Sequence, residues 1–405
     1  MLNKLLFIFI SLLLLSCEDE HSPREYSNIF SGVGRNSSFE YVENFQSQSF
    51  SQKILDSNSG ATSTPLLLNN QQLIFSTDDG KIVSSLNNTR NWDFSLDAGS
   101  IIGAGFSSDS KNNIYTIDAN GKYYTLDSTG KLRFSDKLFE PTKFEIFNTP
   151  LTVQNRTVFS SSEGNLVIID DSGNEIFRNK YNAGILDFVS AISTDKILIT
   201  LSNNKFGVTD TLLCINSDGD EVWRFNEKDF RFTKGAISNG THIALAGSIQ
   251  AGDTPLSKIF YLDTEGKLLW FKEISTVPRF LSMSISGELY LVSYSSGMGQ
   301  MKSGVFCYND KGDMNWSIYY DYSIPMPVYI AENEIFFLAS NRETYGLFYL
   351  NRTDGKLTRS LDVGDVHPII FYPEVDNDGT IVFAGKESLR LIRIDETAIN
   401  KMLPY

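Results

Sequence analysis

Leu262-Asp-Thr-Glu-Gly-Lys-Leu-Leu-Trp270 decides the fold, because the chain returns to it eight times between residues 82 and 402. Close copies are Leu126-Asp-Ser-Thr-Gly-Lys-Leu-Arg-Phe134, Ile169-Asp-Asp-Ser-Gly-Asn-Glu-Ile-Phe177, Ile215-Asn-Ser-Asp-Gly-Asp-Glu-Val-Trp223 and Tyr308-Asn-Asp-Lys-Gly-Asp-Met-Asn-Trp316. Weaker copies occupy Leu86–Phe94, Leu350–Arg359 and Ile394–Lys401. The equivalent turn positions are Arg90, Gly130, Gly173, Gly219, Gly266, Gly312, Gly355 and Ala398, which lie 40, 43, 46, 47, 46, 43 and 43 residues apart. A period in the forties, filled with short strands, specifies a propeller in which each repeat supplies one sheet.

Within one repeat, Asn113–Ser135 shows three strands. Ile114-Tyr-Thr-Ile alternates, Ala119-Asn-Gly turns, Lys122-Tyr-Tyr-Thr-Leu alternates again, Asp127-Ser-Thr-Gly turns and Lys131-Leu-Arg-Phe closes the sheet. A fourth, innermost strand precedes them, as in Thr64-Pro-Leu-Leu-Leu and Thr149-Pro-Leu-Thr-Val. The expected fold is all-β, an eight-bladed β-propeller of four-stranded antiparallel blades. The blades fall at 58–98, 99–140, 143–183, 184–229, 230–275, 276–321, 322–364 and 365–405. Little chain follows Asp395 in blade 8, so Phe39–Gln48 is expected to pair with that blade and close the ring.

Four residues after the turn position stand Phe94, Phe134, Phe177, Trp223, Trp270 and Trp316 in the first six copies. A large ring on an outermost strand can wedge between neighbouring sheets, and the turn glycine tolerates positive φ. Arg359 breaks the series in blade 7, where the joint is expected to pack less well. The pattern Asp-x-x-Gly-Lys-x-x-Trp after a hydrophobic strand resembles the PQQ-type propeller repeat, over residues 58–402. That repeat occurs in quinoprotein dehydrogenases and in non-enzymatic propeller lipoproteins that assist outer-membrane protein assembly. The resemblance implies the fold; function has to be argued from sites.

The first 17 residues stand apart from the repeats. Lys4 gives a positive start, Leu5–Leu15 is an apolar stretch too short to span a bilayer comfortably, and Leu14-Leu15-Ser16-Cys17 follows. This segment looks like a bacterial lipoprotein signal, with Cys17 acylated after cleavage. Residues 18–38 read as a flexible tether with a reach of about 25 Å, leaving 39–405 for the propeller. Glu18-Asp19-Glu20 directly behind the cysteine resembles a surface-export signal of Bacteroidota lipoproteins; a soluble linker would also carry such acids.

Composition narrows the partners. Lys+Arg 35 against Asp+Glu 49 gives a net charge of -14 without a long basic run, which argues against nucleic acid. Cys214 and Cys307 occupy the same strand in blades 4 and 6, with a whole blade between them, so no disulfide is expected and both read as small buried hydrophobes.

Catalytic equipment is not evident. As the family resemblance implies, quinoprotein enzymes hold their quinone on the axis with a tryptophan floor, an adjacent-cysteine disulfide, calcium and a catalytic aspartate. This chain has no Cys-Cys pair, and three of its four tryptophans are explained by blade packing. His21, His242 and His367 are scattered, so no histidine cluster at metal-ligand spacing exists. Asp376-Asn-Asp-Gly379 begins like a calcium loop but lacks the later carboxylates. No catalytic residue, cofactor or metal is expected.

The asymmetry that points to binding lies in the loops between second and third strands. They are minimal in blades 1–3, at Asp79-Gly80, Ala119-Asn-Gly121 and Ser162-Glu-Gly164. They lengthen in blades 4–7, at Asn203–Thr211, Ser248–Lys258, Tyr294–Gly304 and Asn341–Gly346, as a ridge carrying Lys205, Phe206, Met298, Met301, Lys302, Arg342 and Tyr345. Methionines and exposed aromatics suit adaptable protein contacts. On the same face, innermost strands begin beside Arg231, Lys234, Arg279 and His367, a candidate channel mouth for an anionic peptide or small ligand, although such cations commonly pair with local carboxylates. The expected function is that of a monomeric, lipid-anchored envelope scaffold in the outer membrane, holding a protein partner, with outer-membrane protein assembly as the process implied by the resemblance. A surface lipoprotein binding glycan or host protein, and a degenerate quinone-dependent oxidoreductase, are the competing expectations.

Overall fold

Short alternating strands joined by tight polar turns pair most readily with their immediate sequence neighbours, and here they form one sheet per repeat. The computed structural model describes residues 51–393 except 57–60, 69, 71, 87–88, 144, 204–209, 229, 250–255, 298–299, 341–344, 365–373, 376–380 and 385–388. The described residues form eight antiparallel sheets. Blade 2 shows the plan: Ile102–Ser108 innermost, then Ile114–Asp118, Lys122–Leu126 and Leu132–Lys137 outermost, hydrogen-bonded in that order. Blades 4 and 5 depart from it only in splitting the innermost strand, into Gly184–Ile185 with Ser190–Ser193 and Arg231–Phe232 with Ile237–Ser238. The chain is an all-β propeller, and the innermost strand of blade 1, Leu66–Leu67, lies beside that of blade 8, Glu374–Val375, so the ring comes round on itself.

Closure comes from the N-terminal side, but from a different segment than expected. Blade 8 contains Glu374–Val375, Ile381–Ala384 and Leu389–Arg393, and Ser51–Asp56 supplies its outermost strand, antiparallel, with Ser51 opposite Arg393 and Ile54 opposite Arg390. Phe39–Gln48 lies outside the described residues, and the position assigned to it is taken. The spacing explains the difference: from Asp56 the chain crosses to Leu66 just as it crosses from Ser95 of blade 1 to Ile102 of blade 2.

The repeat's conserved-looking letters have distinct jobs. Asp127 Oδ1 accepts the backbone N–H groups of Thr129 (2.9 Å) and Lys131 (3.1 Å), which fixes the tight turn from inside. Asp170, Asn216, Asp263 and Asn309 accept from residues two and four further on in the same way. The turn glycine then serves the neighbouring blade. Trp223 of blade 4 lies flat against Gly266 of blade 5, where a β-carbon would fall 2.5 Å from the ring, and its Nε1 donates to Thr264 O at 3.0 Å. Trp270 and Trp316 repeat the arrangement on Gly312 and Gly355, donating to Asp310 O (2.8 Å) and Arg352 O (3.0 Å). Phe134 and Phe177 take the same seats on Gly173 and Gly219.

Blade 1 corrects the sequence alignment. Its wedge is Trp92, which lies on Gly130 and donates to Ser128 O at 3.0 Å, while Phe94 packs edge-on to Tyr124 at 6.0 Å. The turn there is tighter, with Leu86 opposite Thr89, so the ring position comes two residues earlier. All four tryptophans are therefore committed to joints between blades. In blade 7 Arg359 turns onto its own sheet, 4.2 Å from the Tyr349 ring centroid and 2.7 Å from Glu334 Oε2; the blade 8 side of that joint lies outside the described residues.

The core consists of the spaces between successive sheets. Tyr290, Val292 and Cys307 of blade 6 face Ile330, Phe337 and Phe348 of blade 7, and Ala244 and Tyr261 of blade 5 face Leu281, Leu291 and Tyr308 of blade 6. Burial of this apolar area, at about 25 cal/mol per Å², is the main stabilising contribution. Cys214 and Cys307 are buried and unbridged, and desolvation pushes both thiols up to about 12, so they remain protonated packing groups.

Candidate binding face

Because strands alternate in direction, connections between second and third strands share one end of the ring with the starts of the innermost strands. Blades 1–3 keep this end low, turning at Asp78–Gly80, Ala119–Gly121 and Ser162–Gly164. Blade 6 rises above it. Its segment Tyr294–Gly304, expected as a loop, is instead a continuation of the ladder, with Ser293 opposite Gly304 and pairing maintained out to Gly297 opposite Gln300. Blade 5 extends similarly to Ile249 opposite Leu256. A protruding hairpin satisfies its own backbone groups, which an irregular loop of that length would leave to solvent.

The ridge residues meet varied fates. Lys205, Phe206, Met298 and Arg342 lie outside the described residues, and Met301 is placed only by its backbone, opposite Ser296. Lys302 is exposed and 3.1 Å from Asp321 Oδ1. Tyr345 is half-buried opposite Ser340, in the last pair of the blade 7 ladder before the connection at 341–344. The structure thus brings Lys302 and Tyr345 to this end of the ring, on neighbouring blades.

Nearer the axis a cavity of about 430 Å³ opens among the starts of the innermost strands, with Ala104, Ile146, Asn148, Leu186, Asp187 and Lys234 among its walls. Its size is that of a small-ligand or side-chain pocket. Ile146 stands 69% exposed on its rim. Lys234 is 3.1 Å from Asp187 Oδ2, and its ammonium also lies 5.6 Å from the centroid of the Phe280 ring. Arg279, one residue earlier in blade 6, is exposed and lies over Tyr294 at 5.1 Å. Tyr294 is itself fixed, its hydroxyl donating to Ile324 O at 3.0 Å and lying 3.1 Å from Ser323 Oγ. Arg231 is exposed beside Asp210, and His367 lies outside the described residues. Three of the four expected mouth cations therefore gather on the adjoining inner strands of blades 5 and 6.

Sequence reasoning missed the partners of these cations. Asp210 is buried and accepts from Asn203 N (2.8 Å), Phe232 N (2.8 Å) and Ser202 Oγ (3.1 Å), tying blade 4 to the start of blade 5. Desolvation pushes its carboxyl above the ordinary aspartate range, against those hydrogen bonds and the nearby Arg231. Asp187, the partner of Lys234, lies at a left-handed φ of 41°. Among the described residues no group of three or more His, Cys, Asp or Glu is arranged to hold a metal ion.

Tandem four-stranded blades, the first six each locked by an aromatic ring on the next blade's turn glycine, define a β-propeller of PQQ-like repeats. The family described as outer membrane protein assembly factor BamB matches residues 69–286, more than half of the 405-residue chain, and the chain belongs to that family. No curated protein matches it in sequence. The crystal structure of BamB from Moraxella catarrhalis superposes with a TM-score of 0.59 at 14% identity, covering 85% of this chain and 96% of that one. The Dos1 propeller gives 0.60 at 11% identity, covering 85% and 95%. The computationally designed Ika8 protein gives 0.58 at 14%, covering 84% and 99%. At these identities the likeness speaks for the fold alone.

Proposed function

We propose that this chain is a non-enzymatic, lipid-anchored scaffold of the bacterial envelope that holds a protein partner during outer-membrane protein assembly. The observation that carries the reading is the family match over residues 69–286 to a protein described as an assembly factor. The hairpins that rise from one end of the ring, over a rigid frame, are consistent with a docking platform. Anchoring rests on Cys17 behind its apolar stretch, and the outer membrane is the location that the family description supports. The ring acts as a monomer, and binds neither nucleic acid nor a quinone. With Trp92, Trp223, Trp270 and Trp316 all seated in joints, no tryptophan is left over to floor a quinone on the axis.

Crosslinking and pull-down from native membranes tests the reading. Changing Phe206, Met298, Arg342 and Tyr345 together to serine is expected to weaken capture of the partner by at least about 2 kcal/mol, a typical hot-spot loss. Changes at Asp79, Asn120 and Glu163 in the low turns should leave it intact. Loss of capture in that control set alone would place the interface elsewhere. Metabolic labelling with a fatty acid should mark the wild type and not Cys17→Ala; equal labelling ends the anchor. Protein incubated with PQQ and calcium is expected to show no alcohol- or sugar-dependent dye reduction, and turnover would restore the oxidoreductase.

The acidic tract Glu18-Asp19-Glu20 supports a second reading, a surface-exposed lipoprotein that binds glycan or host protein. Protease accessibility on intact cells separates the two locations.

A further inference from the structure

We propose that the axial mouth at blades 5 and 6 is a receptor site for an acidic peptide, with Arg279 and Lys234 taking its carboxylates and the adjoining cavity taking an apolar side chain. The inference rests on the protein-binding reading and names the chemistry of what is held.

The chain carries a net charge of -14, yet this patch presents cations on aromatic supports. Among the described residues Arg279 has no carboxylate within ion-pair distance. Its guanidinium rests instead on Tyr294, whose hydroxyl is tied to the chain entering blade 7, so the planar fork is held in place before any ligand arrives. Lys234 links the two: its ammonium is 5.6 Å from the ring of Phe280, the residue after Arg279, and its side chain is in the wall of a cavity otherwise lined by residues of blades 1 to 4. The cavity is mixed in character: Ile146 and Leu186 are apolar, while Asn148 and Asp187 are polar. A small inorganic anion would use the cations and leave the 430 Å³ cavity unfilled. An extended peptide that alternates carboxylates with apolar side chains uses both.

Asp187 gives the idea a signed test, because it holds Lys234 at 3.1 Å and competes with an incoming carboxylate. Asparagine tolerates the left-handed backbone at this position, so Asp187→Asn removes the competitor with little strain.

The experiment measures fluorescence anisotropy of the full chain with a labelled, end-blocked hexapeptide alternating glutamate with phenylalanine or leucine, beside its glutamine counterpart. The glutamate peptide is expected to bind at least about tenfold more tightly than the glutamine one, in a salt-sensitive manner. Arg279→Gln should weaken it by about tenfold, with Arg279→Lys restoring part of the loss. Asp187→Asn should tighten it by about threefold. The pair Lys267→Ala and Lys311→Ala, on turns at the opposite end, should leave it unchanged, and melting curves confirm that each variant folds. Equal affinity for the two peptides, no binding, an unchanged or weaker Asp187→Asn, or an equal loss in the control pair would each overturn the site. Failure here with partner capture intact leaves the scaffold standing; peptide binding without partner capture leaves the site standing and removes the assembly role.

Discussion

Deleting residues 18–56 is expected to destabilise the ring by about 3–6 kcal/mol more than deleting residues 18–50, which spares the closing strand. The five partnered residues of Ser51–Asp56 hold the outer edge of blade 8, and each ladder hydrogen bond contributes about 0.5–1.5 kcal/mol. Loss of the strand also exposes the unpaired edge of Leu389–Arg393, which invites association between molecules. Denaturant unfolding followed by tryptophan fluorescence, with light scattering for aggregation, measures both effects. Equal unfolding midpoints for the two truncations would show that blade 8 holds without its N-terminal strand.

The joint between blades 4 and 5 should show a comparably large effect. Trp223→Ala removes both the ring on Gly266 and the Nε1 hydrogen bond to Thr264 O, for a cost of about 3–5 kcal/mol. Trp223→Phe keeps a ring of the kind used at Phe134 and Phe177 and loses the hydrogen bond, for about 1 kcal/mol. Gly266→Ala is strained twice, by φ of 77° and by the ring where its β-carbon would go. Because both substitutions act on one contact, their costs should combine to less than their sum in a double-mutant cycle. Full additivity would mean that ring and glycine act independently.

The fold was legible because the unit recurs: one copy of Asp-Thr-Glu-Gly-Lys is an ordinary turn, whereas a series of them at a fixed period has few alternative explanations. The joints were legible in part. Phe134, Phe177, Trp223, Trp270 and Trp316 stand where the repeat puts them, but Trp92 was passed over for Phe94 because the shorter turn of blade 1 shifts register without altering the letters nearby. The closing strand was misplaced for a related reason. Ser51-Gln-Lys-Ile-Leu-Asp56 belongs to blade 8 in space and precedes blade 1 in sequence, so no repeat frame covers it. Around the mouth, Arg231, Lys234 and Arg279 could be found by their position before inner strands. Their companions were harder to find: Asp187 comes from blade 4 and nothing in its spacing ties it to Lys234, while Tyr294 shares the blade 6 hairpin with Arg279, but the register that sets Val277 opposite Tyr294 is not written in the letters.

The closing strand also gives the ring a polarity. Leu389–Arg393, as the third strand of its blade, runs away from the end that carries the mouth and hairpins. Ser51–Asp56 lies antiparallel to it, so the chain joins the ring at Ser51 on the far end and reaches the mouth end only at Asp56. Anything that grips the molecule through residues before Ser51 therefore grips it by its base. The mouth, the blade 6 hairpin and Arg279 lie at the opposite end of the ring from that junction, so a tether attached there leaves them uncovered.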